Sequence, residues 1–166
     1  SFELAATTSS GLAVTYTSSN PDVATIDGST VTLHSAGTTE IAANQSGDDT
    51  YSAAPQVART LKVIDKPVVT TSAASSVTSK SAVLGGNVTS DGNDEDTERG
   101  IVYSAGHNPA VGGAGVTKVS MGTGSGTFSG IVDMLSASTT YYAKAYATND
   151  AGTVYGSEIE VNTLSD

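Results

Sequence analysis

In Leu135-Ser136-Ala137-Ser138-Thr139-Thr140-Tyr141-Tyr142-Ala143-Lys144-Ala145-Tyr146-Ala147-Thr148-Asn149-Asp150-Ala151-Gly152, an alternating run of side chains is closed by a turn. Tyr141, Ala143, Ala145 and Ala147 fall on one face and Tyr142, Lys144 and Tyr146 on the other, the period-two pattern of a strand. Asn149-Asp-Ala-Gly152 supplies residue types that favour turns and positive φ. Alternation alone leaves open which face is the inner one.

The surrounding composition agrees with short strands. The chain has 166 residues, with 23 Ser, 24 Thr and 18 Gly, only 14% charged residues and no sustained helical periodicity. Its length suits two small sandwiches or one larger domain. With no Cys there are no disulfide staples or thiolate metal sites, so packing alone must hold the cores. The net charge of −10 is shared evenly: residues 1–65 carry seven acids against two bases, and residues 66–166 ten against five. Without clustered Lys and Arg to neutralise phosphates, nucleic acid is excluded as a partner. No run of about eighteen apolar residues is present, so membrane insertion by a helix is not expected. The opening residues show no basic then apolar leader, and a start at Ser1 reads as a piece of a longer, exported polypeptide.

The chain divides at Asp65-Lys66-Pro67. Leu61 and Val63 alternate with Lys62 as a closing strand, and Pro67-Val-Val-Thr-Thr71 begins a new one, Pro being tolerated at a strand start. So short a connection predicts a semi-rigid tandem.

In residues 1–65, the segments 12–17, 22–26, 29–33 and 37–43 alternate apolar and polar residues between Gly, Asn-Pro and Asp27-Gly28 turns. Ser10 to Ile26, then Ala36-Gly37, then Gly47-Asp-Asp-Thr-Tyr51-Ser-Ala-Ala-Pro55 resemble the repeated bacterial Ig-like modules of large secreted and surface proteins. That resemblance implies a further strand ahead of Phe2, so this module is expected to lack its opening strand and to bare a sheet edge.

Residues 66–166 resemble a fibronectin type III module. The resemblance rests on Ala82-Val-Leu-Gly-Gly-Asn-Val88, Glu98-Arg-Gly-Ile-Val-Tyr103, Gly122 to Phe128, Tyr155 to Val161, and Leu135 placed six residues ahead of Tyr141. In that family the Leu packs near the corner where the chain enters strand F, and the Tyr hydroxyl caps nearby backbone in a tyrosine corner. Ala137 stands where the family usually has Pro. Seven strands are expected, near 67–72, 82–89, 98–104, 116–121, 127–132, 140–147 and 156–163. The fold class implied is all-β, two tandem antiparallel β-sandwiches, Ig-like and then fibronectin type III-like.

Few residues carry chemistry. His34 and His107 lie in different modules, so a His-based acid/base or metal site needs a cleft between them. Gly122-Thr-Gly-Ser-Gly126 lacks the Lys-Ser/Thr of a phosphate loop and reads as a hairpin turn. Asp91, Asn93, Asp94, Glu95 and Asp96 crowd one loop with oxygen ligands of the kind Ca²⁺ favours, although Asp96 and Val102 stand where an EF-hand requires Gly and Glu. The alternative is a solvated acidic loop. Asp48-Asp49 and Asp65 are further cation candidates. Tyr142, Tyr146 and Tyr155 could line an exposed face on which sugar rings stack, against core or cross-strand packing as the other reading.

The leading expectation is a non-catalytic spacer, presentation or adhesion tandem of a secreted or cell-surface protein, with neighbouring modules of the same polypeptide as its partners. A module that binds a glycan or surface protein through the second sandwich is one alternative. An accessory region of a secreted enzyme is another. No cofactor is expected other than Ca²⁺.

Overall fold

The alternating run becomes the central strand of the second half. The computed structural model describes residues 1–166 as all-β, in two compact units, Ser1–Ile64 and Asp65–Asp166. No helix is long and apolar enough to cross a membrane.

The first unit contains β1 (Phe2–Glu3), β2 (Thr15–Ser18), β3 (Ala24–Asp27), β4 (Thr30–Leu33), β5 (Gly37–Gln45) and β6 (Ala54–Val63). They form two antiparallel three-stranded sheets, in the orders β1-β4-β3 and β2-β5-β6. The expected hairpin near Asp27-Gly28 is present one residue further on. Asp27 pairs with Thr30 across Gly28-Ser29, and Gly28 takes the positive φ that the turn needs. The corner between β2 and β3 is fastened by the buried Thr39, whose hydroxyl accepts the Asn20 amide at 3.0 Å and bonds the Ser18 hydroxyl at 2.8 Å. Val23, Ala24, Val31 and Ala42 are the buried apolar residues of this unit.

The second unit contains β7 (Val68–Thr71), β8 (Ala82–Ser90), β9 (Glu98–Ser104), β10 (Thr117–Thr123), β11 (Gly126–Val132), β12 (Thr140–Asn149), β13 (Gly152–Tyr155) and β14 (Ile159–Asn162). One sheet is ordered β11-β8-β7. In the other, β10, β9 and β12 lie side by side, and β13 and β14 share the far edge of β12. Facing sheets in this order make an antiparallel sandwich of the fibronectin type III kind. Ala143, Ala145 and Ala147 of β12 point inward, with Val69, Leu84, Val88, Ile101, Phe128 and Val161 among the side chains packed with them. Small residues on β12 leave room for the larger ones opposite, which is how facing layers interdigitate.

Two expectations are corrected. Gly122–Gly126 is no hairpin: β10 pairs with β9 and β11 with β8, so the segment carries the chain from one sheet to the other. Gly122, Gly124 and Gly126 all take positive φ, and the Arg99 guanidinium donates to the carbonyls of Gly124, Ser125 and Gly126, holding the crossing in place. The last strand was expected at 156–163, yet it begins at Gly152, directly after a two-residue turn, and breaks at 156–158. At the break, the Thr71 hydroxyl of β7 accepts the Ala145 amide at 3.0 Å. A Cβ on Gly156 would lie 2.5 Å from Thr71 backbone and side chain, so only Gly lets the two strands approach there.

Candidate functional site

The tyrosine corner forms around Leu135 and Tyr141. Leu135 is buried in the core of the second unit, and its amide donates to the Lys80 carbonyl at 3.0 Å. The Tyr141 hydroxyl accepts the Ser136 amide at 3.0 Å, and its ring meets Tyr103 edge-on at 5.9 Å. This is a structural device that ties the loop ahead of β12 to the strand.

The three tyrosines considered for a ligand face do not form a common platform. Tyr146 lies on the outer face of β12 but is fully buried. Gly100, directly across on β9, offers no side chain, so the ring lies against its backbone. The Lys118 ammonium sits 5.1 Å from the ring centroid, and the hydroxyl donates to Glu98 Oε1 at 2.9 Å. Burial, reinforced by the Glu98 carboxylate, raises the Tyr146 pKa well above the usual phenol range. Glu98 is held below the usual carboxylate range, first by its 2.7 Å bond to Lys118 and further by the Tyr146 hydroxyl, with burial opposing.

Tyr142 and Tyr155 remain partly exposed but are engaged by the loop after β9. The His107 ring packs over Tyr142 with centroids 3.7 Å apart, and the Val111 amide donates to the Tyr155 hydroxyl at 2.9 Å. Glu158, half-buried at the break between β13 and β14, bonds His107 Nδ1 at 2.8 Å and accepts the Asn108 amide. Lys144 donates to Asn108 Oδ1 at 3.0 Å. Bonds from His107 and Asn108 lower the Glu158 pKa. Nothing in the spacing of residues 107, 108 and 158 announces this cluster, because it depends on the strand break.

The acidic loop is organised by its own backbone. Asp91 Oδ1 accepts the Asn93 amide at 3.0 Å, Asp94 Oδ1 faces the Asp96 amide at 3.4 Å, and the buried Thr97 hydroxyl bonds the carbonyls of Asp91 and Asp94. Asp94 is buried while Glu95 and Asp96 are exposed. No three carboxylate or imidazole groups of the chain come together to hold a metal ion. Asp48 uses one carboxylate oxygen to accept the amides of Thr50 and Tyr51, each at 2.8 Å. His34 bonds the Thr25 hydroxyl at 2.7 Å.

The loop does have a mechanical role at the entry to the second unit. The Asp65 amide donates to the Gly92 carbonyl at 2.9 Å, and Asn149 Nδ2 donates to the carbonyls of Asp65 and Asp91 at 2.7 and 3.0 Å. Gly92 takes a positive φ of 71°, and a Cβ there would lie 1.9 Å from the Asp65 oxygen. The turn residue Asn149 and the acidic loop thus clamp the chain one residue after Ile64.

No protein-family model matches the chain, and no curated protein sequence does. Among solved structures, the sensor domain of the anti-sigma factor RsgI4 in Pseudobacteroides cellulosolvens is 20% identical with a TM-score of 0.45, over 61% of this chain and 92% of that one. The fibronectin type III domain of human fibronectin type III domain containing protein 3 is 18% identical with a TM-score of 0.44, over 64% and 91%. The FN1-FN3 domains of chicken CNTN1 are 17% identical with a TM-score of 0.47, over 84% of this chain and 48% of that one.

Proposed function

We propose that this chain is a non-catalytic spacer or presentation tandem within a larger exported polypeptide. The observation that carries the reading is the clamped entry at Asp65. Strand β6 ends at Val63, and the Asp65 backbone is already bonded to Gly92 and Asn149 of the second unit. A connection this short leaves little chain to flex, which suits a module that sets distance or direction. The exposed polar groups around Tyr142 and Tyr155 bond to one another, so that cluster supports holding a loop in shape more than gripping a ligand.

The test is an end-to-end distance distribution from spin labels at Ser1 and Asp166, measured on the chain and on a variant with four Gly-Ser residues inserted after Ile64. A narrow distribution that broadens on insertion is expected. Equal breadth in both would remove the spacer reading.

A further inference from the structure

The sheet β11-β8-β7 differs from the other three in one respect: none of its residues is ionisable. Ionised side chains stand on each of the others, Glu3 and Asp27 on one, Arg59 and Lys62 on the second, Lys118 and Lys144 on the third. In a chain of net charge −10, one sheet is thus bare of charge. Its inner face supplies Val69, Leu84, Val88 and Phe128 to the core of the second unit. Its outer face is turned away from that core. Ile131, 71% exposed, pairs with Val83 near one end of this face, and Val68, 53% exposed, lies beside Ser90 at the other. Between them are only small or neutral groups, Ser129 beside Gly85 and Thr127 beside Asn87 and Thr70. Charge returns at the rim in both signs, with Asp65 and Lys66 ahead of β7, Asp91 after β8 and Asp133 after β11.

We propose that this face is a contact between two copies of the chain, joined face to face about a two-fold axis so that the Ile131 end of each copy lies over the Val68 end of the other. Charge argues for a second copy as the occupant. Two chains of −10 repel wherever acids meet, and on this face no strand position holds one. A charged partner of either sign would find no counter-charge on it. A two-fold contact needs a patch complementary to itself, and the two apolar ends supply one, since an axis lying in the interface exchanges them. Gly85 and Ser129 keep the middle low, so the two sheets can close to about 10 Å, with Thr and Asn groups placed to bond across. An uncharged centre inside a polar rim is the usual anatomy of a protein–protein contact. Size sets its strength. The nine residues of β8 and its two neighbouring strands give a face of about 30 by 14 Å, so about 400 Å² a copy and about 800 Å² for the pair. Stable interfaces bury about 1,200–2,000 Å². The association is therefore weak, and it counts where many copies are held close together.

The test is sedimentation and ¹⁵N spectra of residues 1–166 from about 0.01 to 1 mM. Dimerisation that grows with concentration is expected, with shifts confined to β7, β8 and β11. Because the chain has no Cys, a spin label on Lys66→Cys is specific; mixed with the ¹⁵N-labelled chain, it should broaden the Ile131 and Val83 amides of the other copy. Ile131→Asp changes an exposed side chain, so unchanged β9 and β12 resonances report an intact fold, while the dimer weakens at least about tenfold because a carboxylate is set against Val68. Ile131→Lys mixed with Val68→Asp should recover an association that neither variant shows alone. A chain that stays monomeric at about 1 mM overturns the proposal, as does a dimer that Ile131→Asp leaves intact or one whose broadening falls outside β7, β8 and β11. So does a dimer that loosens as salt is raised, because it then rests on ion pairs that this face lacks.

Discussion

Replacing Tyr146 by Phe removes one oxygen atom and leaves the rest of the outer face of β12 in place. The ring stays buried against Gly100, and Lys118 still lies over it at 5.1 Å. The bond lost is the 2.9 Å donation to Glu98. A hydrogen bond to a charged partner contributes about 1.5–3 kcal/mol. Glu98 keeps Lys118 and has a side chain one-third exposed, so water can replace the lost donor and the low end applies, about 1.5 kcal/mol. For a unit of about 100 residues that lowers Tm by roughly 6–12 °C.

The pH dependence provides the second half of this test. Glu98 has a folded pKa lowered from 4.5, so its contribution is complete above about 4.5 and is lost as pH falls through the depressed folded value. The Tyr146→Phe deficit should therefore shrink as pH falls through the depressed Glu98 value, as a charge-assisted bond becomes a neutral one. Melts of the Tyr146→Phe, Glu98→Gln and double variants across a series of pH values falling from pH 7 measure it. A change under about 2 °C at pH 7, or a deficit that does not shrink anywhere along the acid series while the fold persists, would refute the argument.

Tyr141→Phe frees the exposed Ser136 amide to water and should cost about 0.5–1 kcal/mol, seen as a small drop in the melting temperature of the second unit. Gly92→Ala forces a Cβ into the Asp65 carbonyl at positive φ; it should lower stability by about 1–3 kcal/mol and speed hydrogen exchange at the Asp65 amide. Because no three carboxylates of the 91–98 loop come together, thermal unfolding in EDTA and in millimolar Ca²⁺, with Mg²⁺ as screening control, should show no Ca²⁺-selective rise. A rise of several degrees in Ca²⁺ alone would contradict the description of that loop.

Local patterns were legible where one strand carries its own information. Alternation from Tyr141 to Ala147 marks β12, and the Leu135 to Tyr141 spacing marks the corner. Relations between strands were not. Tyr146 is buried because Gly100 on β9 and Lys118 on β10 cover an outward position, which the period of β12 cannot reveal. The crossing at Gly122–Gly126 looks like a hairpin until Arg99, over twenty residues earlier, is seen to hold its carbonyls. Acidic residues in the 91–98 loop suggest an ion, while their amides and Thr97 organise the loop internally. The groove lined by Phe2, Tyr16 and Val57, and the exposure of Val57, required the structure.

The spacer reading is tested most directly by amide ¹⁵N relaxation across residues 1–166. A shared rotational correlation time for Ser1–Ile64 and Asp65–Asp166, with no rise in mobility at Ile64, is the result the account predicts. Two separate correlation times, each appropriate to a unit tumbling by itself, would contradict it.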